Sequence, residues 1–236
     1  MPISFRDSTF AGAGSTTVVS IVATMTGTRI AASVHVHDAS TANAFTSLQQ
    51  DGVSFSQVGV QNNEYQSGRQ LRTYGLHKAN ASTSAPTSFT LTMSGAMTAI
   101  GFSLVSYDGI NSTISTGRTG GGTGNSTTHG VSVTVDGSSS IILVAITKKD
   151  PRTGPFAAGS STTQRIDASA GSGSPANQIG LWFGDQAAPS TGAHVSSATS
   201  SAAENWSMFG FELRESTVVS GPFTAVPELR LLGVGT

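Results

Sequence analysis

Residues 87–111, TSFTLTMSGAMTAIGFSLVSYDGIN, constrain the fold more than any other part of the chain. Phe89, Leu91 and Met93 alternate with Ser88, Thr90, Thr92 and Ser94. Strict alternation marks a strand with one buried and one polar face. Gly95 interrupts the run, then Ile100, Phe102, Leu104 and Tyr107 carry a second apolar segment, closed by Asp108-Gly109. A glycine-bearing break between two such runs predicts a β-hairpin.

Similar patterns recur at residues 3–6, 17–25, 29–37, 53–58, 71–76, 131–135, 141–146, 179–184 and 206–213. The continuous apolar run IILVAI at 141–146 predicts a central strand. In the last segment Trp206 and Met208 share one face, while Phe209, Phe211 and Leu213 share the other. A strand apolar on both faces belongs between two layers. Residues 7–15, 61–68 and 186–203 read as loops, with an edge strand near His194 and Val195, and 39–50 as one or two helical turns. Residues 152–177 carry a weak strand at 164–167. Gly120, Gly121, Gly122 and Gly124 predict a long mobile loop over 112–129.

About ten short strands at this spacing, with no convincing helix, predict an all-β fold: a two-sheet antiparallel β-sandwich, jelly-roll-like or in a related Greek-key order. Residues 1–215 form that sandwich. Beyond Glu215, Pro222 and Pro227 argue against a sheet-centre strand. Phe223, Val226, Leu229, Leu231, Leu232 and Val234 are too apolar for a solvated tail, so residues 216–236 are expected to be an extended apolar arm.

Charged residues are 11% of the chain and the net charge is −1, which argues against a nucleic-acid partner. No apolar run approaches the roughly 18 residues of a membrane span. The chain has no Cys, hence no disulfide framework and no thiolate metal site. The segment MPISFRDSTF lacks the basic and apolar regions of a signal peptide, so synthesis and folding in the cytoplasm are expected. Ser and Thr make up roughly a quarter of the residues, above ordinary usage. With 28 Gly this could indicate disorder, but the 37% hydrophobic residues sit in alternating runs that disordered chains lack. Thr also makes a pleated surface polar without charge.

Motifs for chemistry are sparse. His35 and His37, beside Asp38, could bind zinc given a third ligand; the plainer reading places both on a solvent face. Asp51-Gly52, Asp108-Gly109 and Asp136-Gly137 could offer carboxylates to calcium, but Asp-Gly is first a turn dipeptide, and EF-hand spacing is lacking. No G-x-S-x-G elbow follows a strand, and TGRTGGGTG lacks the Lys-Ser/Thr ending of a P-loop. A glycosidase needs paired carboxylates, which the 13 acidic residues do not display. Trp182 and Trp206 could stack on sugar, yet both sit in apolar strands, which favours core packing. The expectation is a non-enzymatic protein without a cofactor.

A resemblance adds to this. A β-branched strand is followed by TGTRIAASVHV, DGVSFSQVG and RTYGLHKANASTSAPTSFTLTMSGAMTAIGFSLVSYDGIN. A Gly-rich stretch, VSVTVDGSSSIILVAIT, TTQRIDAS and NWSMFGFELRE complete the order. This series, over residues 16–215, resembles a β-sandwich module of bacteriophage structural proteins that also occurs in large secreted bacterial proteins. The resemblance implies a virion structural protein, either a capsid decoration protein or a carbohydrate- or receptor-binding module of a fibre, tail or adhesin. It transfers no catalytic residues. The implied partners are the major capsid protein or other virion proteins, copies of the same chain, and in the second case a glycan. The implied location is the capsid surface. Assembly contacts are expected from the N-terminal strand, through Ile3 and Phe5, and from the apolar residues of the tail.

Overall fold

The structure is a computed structural model that describes residues 2–215, apart from 41, 81–82, 111–117, 138 and 151–155. One antiparallel sheet contains β1 (Ser4–Ala23), β2 (Arg29–Asp38), β3 (Phe45–Gln50), β4 (Val53–Ser54), β5 (Ser56–Gln66), β6 (Arg69–Ala79) and β7 (Thr87–Asp108). The other contains β8 (Thr119–Val135), β9 (Ser140–Lys149), β10 (Phe156–Ala158), β11 (Thr163–Gly171), β12 (Gln178–Ala188) and β13 (Gly192–Arg214). The two pack together as an all-β, two-sheet sandwich. A 3-10 turn, Pro175–Asn177, leads into β12. The apolar residues of the predicted tail lie outside the described residues.

The predicted hairpin at Gly95 is instead a single strand of 22 residues. Phe89, Leu91, Met93 and Met97 are all buried, so the two-residue period passes through the glycine unbroken. Gly95 marks a bend. The register of β1 against β7 shifts there, from Thr16 opposite Met97 to Val18 opposite Thr92. On its other side β7 changes neighbour, from β3 at Phe45 opposite Met93 to β2 at His37 opposite Ala99. Both halves of β7 therefore pair with the long β1, and neither pairs with the other.

The predicted mobile loop at 112–129 is strand from Thr119 onward. Here β8 bends back on itself. A Cβ on Gly122 would lie 2.6 Å from the Gly130 carbonyl, and one on Gly124 would lie 3.0 Å from the Trp206 ring. Only a residue without a side chain allows backbone and indole to come so close. Residues 7–15 and 61–66, read as loops, belong to β1 and β5. Residues 45–50, read as helical turns, are β3, and β12 and β13 take most of 186–203. These Ser-, Thr- and Gly-rich strands escape the apolar pattern because their side chains line edges and outer faces.

Three apolar clusters follow from the bends. The inner one, between the sheets, contains Leu71, Val105, Tyr107, Leu143, Leu181, Phe183, Phe209, Phe211 and Leu213. A second fills the outer side of the first sheet, where β3, β4 and the bent ends of β1 and β7 fold over Val34, Tyr74 and Phe102. The third does the same for the second sheet around Ile146, Trp182, Trp206 and Met208. The two faces of residues 206–213 are thus divided as the sequence predicts.

The two sheets are also equivalent. Replace β1, β2, β3, β5, β6 and β7 by β8, β9, β10, β11, β12 and β13, and the pairing diagram is unchanged: β1-β7-β2-β6-β5 becomes β8-β13-β9-β12-β11, and β3 beside β7 becomes β10 beside β13. Packing between the sheets obeys the same exchange. β1 meets β11 and β8 meets β5; β7 meets β11 and β13 meets β5; β6 meets β13 and β12 meets β7. β2 and β9 meet each other at the centre. This is the relation of an isologous interface, with two halves of one chain standing for two copies. Among the described residues β4 has no counterpart.

The exchange holds residue by residue. Val34 lies between Tyr74 and Phe102, as Ile146 lies between Trp182 and Met208. On the inner face His35 lies between Thr73 and Gly101, as Thr147 lies between Leu181 and Ser207. Thr73 touches Ser207 and Leu181 packs on Gly101, while His35 and Thr147 touch each other on the axis.

Candidate functional site

Of the polar residues that sequence reading singles out, His35 and His37 lie on this seam between the sheets. His35 is fully buried there. Its Nε2 lies 2.7 Å from Ser33 Oγ and its Nδ1 3.0 Å from Thr147 Oγ1. Thr147 Oγ1 in turn lies 2.7 Å from Thr73 Oγ1, which donates to the Ser207 carbonyl at 2.8 Å. Burial pushes the His35 pKa down to about 3, because a charged imidazole has no water to solvate it. The ring is neutral at pH 7 and both nitrogens are engaged. The network serves as a polar pin between the two halves.

His37 is also buried, which corrects the solvent-face reading of the pair. The face opposite Val34 and Val36 abuts the second sheet rather than water. His37 Nε2 lies 2.6 Å from the Tyr65 hydroxyl. Burial first, then the charges of Lys149 and Arg69, hold its pKa down to about 4. Asp38 accepts from the Ser40 amide at 3.0 Å, and its other oxygen lies 3.8 Å from Arg72. His35, His37 and Asp38 therefore serve three different contacts. Among the described residues no group of three possible metal ligands occurs.

The Asp-Gly pairs are structural. Asp51 and Gly52, both at positive φ, form the turn between β3 and β4. Asp108 receives the Arg6 guanidinium at 2.6 Å and the Thr28 amide at 2.9 Å. Asp136 is held by Arg118 and Arg214. Both tryptophans are buried in the third cluster, where His129 packs edge-on against Trp206.

Ile3 and Phe5 pack against the inner cluster of their own chain. Phe5 meets Tyr107 edge-on at 5.8 Å, and Arg165 covers its ring at 4.1 Å. Arg165 also binds Asp185 at 2.7 Å, and Asp185 accepts from the Tyr107 hydroxyl at 2.5 Å. The N-terminal strand is therefore built into the sandwich and is no free arm. Phe223, Val226, Leu229, Leu231, Leu232 and Val234 lie outside the described residues.

Two features escaped sequence reading. One is a small cavity at one end of the seam, lined by His37, Arg69, Thr98 and Asn177 among others. Its residues are too far apart in the chain for any spacing to reveal it. The other is the outer edge of β1. This strand pairs with β7 on one side and, among the described residues, with no strand on the other. No charged residue and no proline occurs between Asp7 and Arg29. Along it Phe10, Val18 and Val22 are exposed, Val22 by 68%. The absence of charge across these positions is visible in the sequence, but its meaning depends on knowing that the strand is an edge. Comparison of the chain with family models, with curated proteins and with solved structures gave no match.

Proposed function

We propose that the protein is a non-enzymatic virion structural protein, a decoration or cement protein that binds the outer face of a bacteriophage head and stabilises it. The observation that carries this reading is the edge of β1, which has no strand beside it among the described residues and no charge or proline between Asp7 and Arg29. Monomeric β proteins protect exposed edges with charge, proline or a covering segment. An edge studded with valine among Ser and Thr fits a lasting protein neighbour, a shell protein or another copy of the chain. Such contacts are weak singly and add up over a particle. The resemblance to phage structural modules supports the same reading, and residues 216–236 are assigned to attachment.

The test is quantitative mass spectrometry of virus particles purified from the source. A copy number near that of the major shell protein supports decoration. A few copies per particle would favour a fibre or tail position with a glycan or receptor as partner. Absence from particles would overturn the structural role. Deleting residues 216–236 is expected to leave the sandwich folded and to abolish attachment, as read by co-sedimentation with heads.

A further inference from the structure

The two halves present equivalent edges in different condition. β1 in the first sheet and β8 in the second correspond, and among the described residues each pairs on one side only. β8 offers little to a partner strand. Four glycines lie between 120 and 124, and glycine in a strand has no side chain to pack. The Gly124 carbonyl accepts from Asn63 of β5, and no large apolar side chain of β8 is exposed. β1, by contrast, exposes Phe10, Val18 and Val22.

The free side of β1 sets a geometric condition on what can pair there. Ser15 takes a positive φ of 46° and Thr16 Oγ1 accepts from the Val18 amide at 3.2 Å, so the strand bends at Thr17. On the paired side β7 follows the bend by setting four residues, Met93 to Ala96, against the single Thr17. A strand on the free side must bend at the same place to keep hydrogen bonds along both arms. A straight strand follows one arm only. A two-fold rotation about the bisector of the bend lays a second β1 beside the first, antiparallel and equally bent.

Charge and side-chain size agree with this arrangement. Centred on Thr17, the rotation pairs residues 11–23 with the same residues of the second copy in reverse order. That stretch holds no charge and no proline. Arg6 and Asp7 fall outside it and already have partners: Arg6 binds Asp108, and Asp7 accepts from Thr26 and Ser106. Val22 then lies opposite Gly12 of the second copy. Opposed residues of an antiparallel pair share a face. A Cβ on Gly12 would point at Ala170 of β11, so Val22 gains an apolar seat there as it leaves water.

We propose that the free edge of β1 is a dimer interface, in which a second copy of the chain adds its own β1 and one sheet continues across a two-fold axis at Thr17. This rests on the reading of that edge as a protein contact and names its occupant. A chain monomeric in solution yet abundant on particles overturns the dimer and spares attachment; a dimer absent from particles does the reverse.

The experiment is sedimentation equilibrium of the full chain at pH 7 over a range of micromolar concentrations, with cross-linking as an independent readout. The unaltered chain should show a monomer–dimer equilibrium. Val22→Lys should weaken it at least tenfold and leave the urea midpoint in place. The chain has no Cys and Thr17 is exposed, so Thr17→Cys supplies a sole, accessible thiol. Opposed residues of an antiparallel pair stand about 4.5–5.5 Å apart at Cα, within reach of a disulfide. Under mild oxidation Thr17→Cys should become a covalent dimer, while Val53→Cys, exposed on β4, should stay monomeric. A chain monomeric throughout the range, a dimer that Val22→Lys leaves intact, or equal cross-linking of the two cysteine variants would overturn the proposal.

Discussion

The two halves of the molecule solve one packing problem with different side chains. In each, a long last strand pairs with a long first strand, bends, and folds over the outer face of its own sheet. The first half fills the resulting space with many side chains of moderate size: Leu48, Leu91, Met93, Met97 and Ile100 beside the single rings of Phe55, Tyr74, Phe89 and Phe102. The second half fills it with two tryptophans and makes room for them with glycine, Gly122 and Gly124 lying against the Trp206 ring. The shared topology decides which positions must be buried. It leaves open whether volume is supplied evenly or by a few large rings facing bare backbone. The second solution is less tolerant, since each glycine is tied to one indole.

This contrast can be broken most severely at Gly122. A valine there would put Cβ 2.6 Å from the Gly130 carbonyl, where backbone must move. Gly122→Val is expected to cost more than about 4 kcal/mol, at the exceptional end for single substitutions. Insoluble expression or loss of the cooperative urea transition would show it. A normal transition would mean that β8 does not approach itself as described. Next in size, Trp182→Ala should cost about 3–5 kcal/mol by urea midpoint. Tyr74→Ala, at the corresponding place in the first half, should cost measurably less. Equal costs would remove the asymmetry.

The axis itself offers a third comparison, because His35 faces Thr147. His35 has its pKa lowered to about 3, and His37, His77 and His129 are lowered to about 4, in each case chiefly by burial. The unfolded chain therefore binds more protons than the folded one between those values and the ordinary 6.5. Stability is fully present above pH 6.5 and is lost as pH falls through the folded values. Urea midpoints should fall steadily from pH 7 to pH 4. His35→Thr makes the axis symmetric, and should cost about 1–3 kcal/mol at pH 7 by removing buried hydrogen bonds. It should also flatten the acid decline. A decline of unchanged steepness would show that His35 is protonated in the folded state. The smallest effect on stability is expected at the edge of β1, where Val22→Lys should change it by no more than about 0.5 kcal/mol. The same substitution should reduce attachment to particles, and undiminished attachment would argue against that edge as the contact.

Much of the fold could be read from single strands. The division of residues 206–213 into a face with Trp206 and Met208 and a face with Phe209, Phe211 and Leu213 follows from alternation alone. The central place of the strand that carries Ile142, Val144 and Ile146 follows from the continuous apolar run at 141–146. What failed was the meaning of glycine. At Gly95 the pattern suggests a turn, although the alternation resumes in phase at Met97. At Gly120 to Gly124 it suggests mobility, although glycine there serves close approach. Neither error can be corrected without knowing what lies opposite. The internal equivalence is hidden in the sequence because many matching residues, such as Thr73 and Leu181, Gly101 and Ser207, or His35 and Thr147, are alike in placement only. The cavity joins residues between 37 and 177, so only the tertiary structure reveals it.

The pairing of first with last strand has a consequence for synthesis. Ser4 of β1 finds its partner only at Asp108, and Phe5 at Tyr107. At about 5–20 residues per second a ribosome needs roughly 5–20 s between making the two. Through that interval β1 is an alternating strand, uncharged beyond Asp7, with both edges open. The second half repeats the wait with β8, whose glycines leave little apolar surface to capture a stray partner. Contacts so distant in sequence also slow the folding of a finished chain. Production of this protein should therefore respond to chaperone supply more than its size would indicate, and the susceptible species is a nascent chain that ends before Asp108.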